Sequence, residues 1–240
     1  MGRWTTATQR PAGTEAVSVT ITTARGTADR WPDVVSAFGR RGDDPSWCWC
    51  RRFLARTDED GAAADNRLAL QHEITTAAVA PGLVACVDGI PAGWTRVMPR
   101  NDLPGVLANR TLRRCLPDDE GAWWVTCFAV QQRYRGTGVA RALLTAAVAH
   151  AQEHGATAVE GHPVDTDALA AERVSGSALF TGTMRLFLAA GFTEIARTYR
   201  SRPVMRRELR SAAWATMDTN STAREQLCDG QWRSRSSQQQ

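Results

Sequence analysis

Apolar and polar residues change period along this chain, and each change marks an element. Residues 17–24, VSVTITTA, alternate as a strand with one buried face does. Residues 29–38 and 62–79 carry apolar positions at helical spacing, the second through Leu68, Leu70, Ile74 and Ala78. In 83–98, LVACVDGIPAGWTRVM, the pair Asp88-Gly89 separates two apolar runs and predicts a hairpin. Residues 99–121 have mixed character and read as a loop. Then AWWVTCFAV, 122–130, is apolar on both faces, the pattern of a central strand covered on both sides. Helical spacing returns from Val139 to Ala151, with Gly155 placed to end it. TAVEG, 157–161, predicts a strand, residues 182–190 a helix closed by Gly191, and FTEIARTYRS with PVMRREL a closing pair of strands. The order predicts an α/β fold whose mixed, mostly antiparallel sheet is flanked by helices.

Composition sets the boundaries. At 240 residues and 43% apolar, the chain has enough material for a substantial core. One domain is expected over 16–210, between a flexible segment, 1–15, and a polar Gln/Ser-rich tail, 211–240, expected to be disordered. No run approaches the length of a membrane span and no secretory signal opens the chain, so a soluble cytoplasmic protein without membrane partners is expected. The net charge of +4 is modest, and all 29 basic residues are arginines scattered among acids, which argues against a nucleic-acid partner. The six cysteines lack a secretory context and read as reduced thiols. Cys48 and Cys50 lack the usual spacing and companions of a zinc site, so no metal is expected. Trp47, Trp49 and Phe53 around them read as an aromatic cluster.

The stretch RYRGTGVARALL, 133–144, carries the chemistry. A strand, a glycine loop and a helix leave unpaired backbone N–H groups aimed at one point, an anion site favoured by the helix dipole. Gly136 and Gly138 let a phosphate approach the backbone, and Arg133 and Arg135 add charge. A tight turn explains the same glycines. A lysine-bearing P-loop is excluded, since the chain has no lysine, and a dinucleotide fingerprint fails because Arg141 stands where the third glycine belongs.

Arg133-x-x-Gly136-x-Gly138, preceded by a strand ending in FAV and followed by VARALLTAAVAHAQEHGA and MRLFLAAGF, resembles the successive motifs of the GCN5-related N-acetyltransferases. The resemblance implies that family's acyl-CoA N-acyltransferase fold and acetyl-CoA as donor. It implies pyrophosphate contacts from Arg133, Arg135, Gly136, Thr137, Gly138, Val139, Ala140 and Arg141. The pantetheine arm would pair with the backbone of Phe128, Ala129 and Val130. It also implies direct attack on the thioester by a primary amine of a small molecule or protein.

The general acid and base are less legible. Relatives usually carry a tyrosine four residues before the Gly-Phe of the late helix, and here Phe187 stands there, before Gly191-Phe192. Either another group protonates the thiolate or it leaves unaided. Glu160, within an apolar strand and two residues from His162, and Glu120, before the central strand, read as proton acceptors or as salt-bridge partners. Thr181 stands where relatives often have Asn. Ser175, Ser177, Thr183 and Tyr199 read first as capping or solvated residues. Asp118, Asp119, Glu120, Asp165 and Asp167 would draw a cationic acceptor, or be solvated loop charges. Phe187 also keeps open a non-catalytic acyl-CoA-binding sensor or scaffold, and a homodimer is compatible with the sequence.

Overall fold

A computed structural model describes residues 19–54, 65–169 and 179–209. The expected flexible segment 1–15, the expected tail 211–240, and Ser175 and Ser177 lie outside the described residues. Strand β1 (Ile21–Arg25) leads through a short 3-10 turn to α1 (Trp31–Ala37), and α2 (Asn66–Thr76) follows. The hairpin β2 (Gly82–Val87) and β3 (Ile90–Pro99) comes next, its turn residues Asp88 and Gly89 both at positive φ, as a tight two-residue turn demands. Two one-turn helices, α3 (Pro104–Leu107) and α4 (Arg110–Arg113), occupy the stretch expected to be a loop. Then come β4 (Ala122–Val130), α5 (Val139–Glu153), β5 (Ala158–Gly161), α6 (Met184–Ala189), β6 (Thr193–Tyr199) and β7 (Arg202–Glu208).

Among the described residues seven strands form one sheet in the order β1-β2-β3-β4-β5-β7-β6. Every neighbouring pair is antiparallel except β4 and β5, which α5 joins as a crossover. One face packs on α5, whose Val139, Leu143, Leu144, Ala147, Val148 and Ala151 meet Leu83, Ala85, Val97, Trp123 and Val125. On the other, α1 and α2 cover Val84, Trp94 and Cys127, while α3 and α4 cover Trp124 and Val204. Those two short helices bury Leu103, Val106 and Leu112, which a single turn is too brief to show as periodicity.

A bulge in β4 re-aims its second half. In the β3–β4 ladder Arg96 faces Cys127 and Val97 faces Val125, so Thr126 is an extra residue. This bulge reverses the alternation of β4: Trp123 and Val125 face α5, yet Cys127 and Ala129 face α1 and α2. Turned in this way, Cys127 meets Cys50 with Cα atoms 6.1 Å apart, and the two form a disulfide. The expectation of six reduced thiols is corrected for this pair; spacing along the chain does not reveal it, because 77 positions separate the partners. The aromatic cluster around the bridge differs from the expected one: Trp49 is fully buried against Trp31 and Phe38, Trp47 packs at its margin, and Phe53 joins the separate cluster under α3 and α4.

Candidate active site

β5 runs beside β4 only from Ala122–Ala158 to Val125–Gly161. β4 continues five residues further, and among the described residues no strand pairs with it on that side. Gln131 donates its N–H to the Ala92 carbonyl at 2.9 Å, so the next pair, Gly93 and Val130, turns its backbone groups away from β3. By alternation the N–H groups of Val130 and Phe128 both point to the open edge. That of Phe128 is taken by the Phe180 carbonyl at 2.6 Å.

Past Val130 the chain turns into the glycine loop. Gly136 and Gly138 have φ of 79° and 100°, left-handed values that cost other residues strain, and no atom lies within 4 Å of where a Cβ on Gly136 would stand. Gly138 caps α5 without a side chain, and the first helical bond is Ala142 N–H to the Gly138 carbonyl. The N–H groups of Val139, Ala140 and Arg141 therefore have no carbonyl a turn behind them. Thr137 instead donates its hydroxyl to the Tyr134 carbonyl and braces the loop. Arg133 is held by Gln131 Oε1 and lies over the Tyr134 ring.

A cleft of about 1020 Å³ opens from this loop along the free end of β4 to the start of α6, and the segment 37–52 walls it opposite. All the cofactor-binding residues expected from the sequence line it except Thr137. Its other wall carries Phe38, Trp47, Cys48, Cys50 and Arg52, with the disulfide pinning that wall to β4. Trp49 and Cys50 adopt positive φ of 40° and 55°, a strained pair held by the bridge and by the burial of the indole. The lining contains six arginines, at 40, 41, 52, 133, 135 and 141, and among the described residues no carboxylate.

The acids singled out from sequence lie elsewhere. Glu160 is fully buried, with one carboxylate oxygen bonded to Arg100 at 2.8 Å and the other to Arg206 at 2.6 Å. Both oxygens are spent on guanidinium groups, which corrects its reading as a catalytic base and makes it the hub of a buried ion network. Arg206 extends the network to Asp119, whose carboxyl burial alone would raise but which hydrogen bonds from Arg206 and Thr157 hold below the ordinary range. Glu120 is exposed before the first residue of β4, and the nine-residue strand sets it about 30 Å from the loop, so its catalytic reading is corrected too. Asp165 pairs with Arg197 and Asp167 with Arg185.

Phe187 is fully buried, edge-on to Phe128 and Phe192 and over Gly161, where any Cβ would collide with its ring. It is core and carries no proton. Thr183 caps α6 through Leu186 N–H, Thr181 is buried and accepts from Arg202 at 2.9 Å, and Tyr199 is exposed. His162 stands against the Thr198 hydroxyl, and burial, helped by the Arg202 charge, lowers its pKa from 6.5 to about 4. Tyr134 and Arg52 are lining groups that the sequence did not single out; Cys48, weighed there as a metal ligand, lines the same cleft, where the folded proximity of residues 37–52 to β4 puts it and Arg52.

Residues 45–174 match the family model described as Acetyltransferase (GNAT) family. No curated protein sequence matches the chain. Solved structures similar to it include the GNAT domain of S. lividans PAT, at 17% identity over 78% of this chain and 89% of that one, with a TM-score of 0.45. A GCN5-related N-acetyltransferase from Kribbella flavida shows 17% identity, coverage of 79% and 98%, and a TM-score of 0.46. YncA, a putative acetyltransferase from Salmonella typhimurium with its cofactor acetyl-CoA, shows 16% identity, coverage of 80% and 96%, and a TM-score of 0.47. Among the described residues no helix is long and apolar enough to cross a membrane.

Proposed function

This chain belongs to the acetyltransferase (GNAT) family, and from that premise we propose that it moves the acetyl group of acetyl-CoA to an amine. One observation carries the reading: the glycine loop, the open N–H groups of α5 and the free edge of β4 all line a single cleft. The donor's pyrophosphate lies on the loop from Arg133 to Gly138 and on the N–H groups of Val139, Ala140 and Arg141. Its neutral pantetheine arm runs along Phe128, Ala129 and Val130. Backbone groups make most of these contacts, so the site tolerates change in the side chains.

The amine nitrogen attacks the thioester carbon through its lone pair, the C–S bond breaks, and the sulfur leaves as the CoA thiolate. The Val130 N–H, aimed at the open edge, is the donor placed to stabilise the carbonyl oxygen as it gains charge. The nitrogen's proton passes to solvent. No dedicated acid is required, because a thiol with a pKa of about 8.5 is a competent leaving group as its anion and the arginine-rich cleft stabilises that charge.

Mixing the full chain with acetyl-CoA and a broad amine panel, and following CoA thiol release corrected for hydrolysis, tests the reading. Acetylated amine in step with thiol release is the expected result. Tight acetyl-CoA binding with no acetylated product from any amine would overturn it in favour of an acyl-CoA-binding module. Replacing Gly138 by Val, which forces a branched side chain into a left-handed cap beneath the pyrophosphate, is expected to weaken acetyl-CoA binding at least tenfold.

A further inference from the structure

The six arginines of the cleft fall into two groups. Arg133, Arg135 and Arg141 belong to the glycine loop and the first turn of α5, where the donor's phosphates lie. Arg40, Arg41 and Arg52 belong to the opposite wall, and the Arg52 guanidinium lies 5.5 Å from the centroid of the Phe180 ring. Phe180 is itself tied to Phe128 through its carbonyl. Phe128 precedes Arg133 by five residues, which in extended chain is up to about 16 Å. Arg52 therefore stands at the thioester end of the cleft, where the donor is an uncharged amide arm and carries no anion.

A second cation stands behind Arg52. Arg202 is half-buried, donating to the Thr181 hydroxyl at 2.9 Å and the His162 carbonyl at 3.2 Å. Burial lowers its pKa, and the charge of Arg52 lowers it further, so the two guanidinium groups feel each other. Among the described residues neither forms an ion pair, while Asp119, Asp165 and Asp167 are each spent on other arginines. His162 is neutral at pH 7 and does not add to the charge. An arginine lining the cleft with no carboxylate there among the described residues, backed by the charge of a second, is costly unless an anion completes it.

We propose that the acceptor is an amine that also bears an anionic group, a carboxylate or a phosphate, and that Arg52 receives this group with Arg202 behind it. This rests on the acetyl-transfer reading. The planar fork of Arg52 suits either oxyanion through two parallel hydrogen bonds. The same cationic field disfavours the ammonium form of the acceptor, which supplies part of what a catalytic carboxylate would otherwise do. A polycation is repelled by it, so the cationic acceptors suggested by the loop acids are replaced by the opposite class.

The test compares ethanolamine, β-alanine, O-phosphoethanolamine and putrescine as acceptors of the full chain, with acetylated product measured by mass spectrometry. At least one of the two anionic amines is expected to exceed ethanolamine and putrescine in kcat/KM by tenfold or more, and which of them leads distinguishes carboxylate from phosphate. Arg52→Gln is expected to shrink that preference at least tenfold, and Arg52→Lys to restore part of it. Equal or better turnover of ethanolamine or putrescine overturns the proposal. In parallel, the Tm of the CoA complex is read with O-phosphoethanolamine and β-alanine, for wild type and Arg52→Gln. If no amine is acetylated but either anion raises the wild-type Tm and not that of the variant, the transfer reading falls and the anion subsite stands. If neither turnover nor Tm responds to the anions, the subsite falls.

Discussion

Glu160 binds two guanidinium groups at zero exposure, and the physics of a buried ion cluster differs sharply from that of a general base. Removing its charge while keeping its shape leaves Arg100 and Arg206 uncompensated in the interior. Glu160→Gln is therefore expected to cost about 3 to 5 kcal/mol of stability, read from urea unfolding midpoints. A general base would give the opposite pattern, a loss of kcat/KM of about a hundredfold or more with little change in stability. His162 offers a second measurement at this scale. Its folded pKa is depressed, so below the ordinary 6.5 the unfolded chain takes up a proton that the folded chain refuses until about 4. Stability is fully present above pH 6.5 and is lost as pH falls through that window, by about 3 kcal/mol in total. Unfolding curves of wild type and His162→Gln are expected to converge by this amount between neutral pH and pH 4; parallel curves would show that the imidazole is not held neutral.

At the scale of elements, the segment 47–52 is the part of the cleft with least regular structure, and its tether to β4 is covalent. In the chain-entropy account, closing a loop with partners 77 positions apart stabilises the fold by about 4 to 5 kcal/mol. Cys50→Ala, or reduction by a dithiol, is expected to lower Tm and to raise KM for the amine more than KM for acetyl-CoA. The donor's loop does not depend on that wall. Cys48→Ala, which touches no bridge, is the control expected to keep the wild-type Tm. The tether also marks where sequence reading stops. The β2–β3 turn, β4 and α5 are legible because each is announced locally, by Asp88-Gly89, by an apolar run broken only at Thr126, and by Gly138 and Gly155 at either end. The bulge at Thr126 is not, since a strand apolar on both faces has no alternation for an extra residue to interrupt. With it goes the facing of Cys127, and hence the disulfide. Phe187 is legible as a departure from the expected tyrosine, but only the fold shows its ring packed on Gly161. Glu160 stands out in the sequence as an expensive buried charge; its partners Arg100 and Arg206 lie 60 and 46 positions away, beyond any local signal.

Across the molecule, the parallel pair β4–β5, in a sheet that is otherwise antiparallel among the described residues, governs where a ligand can enter. A parallel connection needs a crossover, here α5, and α5 begins at the end of β4 where β5 is absent. The dipole end of a 15-residue helix, an unfilled strand edge and the cleft's arginines thus converge on one side of the sheet. A net charge of +4 spread evenly would attract an anion weakly; six arginines concentrated in one concave surface attract it strongly. Binding of acetyl-CoA to the folded state alone is then expected to raise unfolding free energy by about 2.7 kcal/mol when the ligand stands at a hundred times its Kd. Because that attraction is electrostatic, raising salt from about 0.05 M to about 0.5 M shortens the screening length severalfold and is expected to weaken the Kd at least threefold. Arg133→Gln combined with Arg135→Gln is expected to reduce both the affinity and its salt dependence. A Kd indifferent to salt in the wild type would mean that the donor is held by the loop's N–H groups without the arginines, and would remove long-range attraction from the account of how the cleft fills.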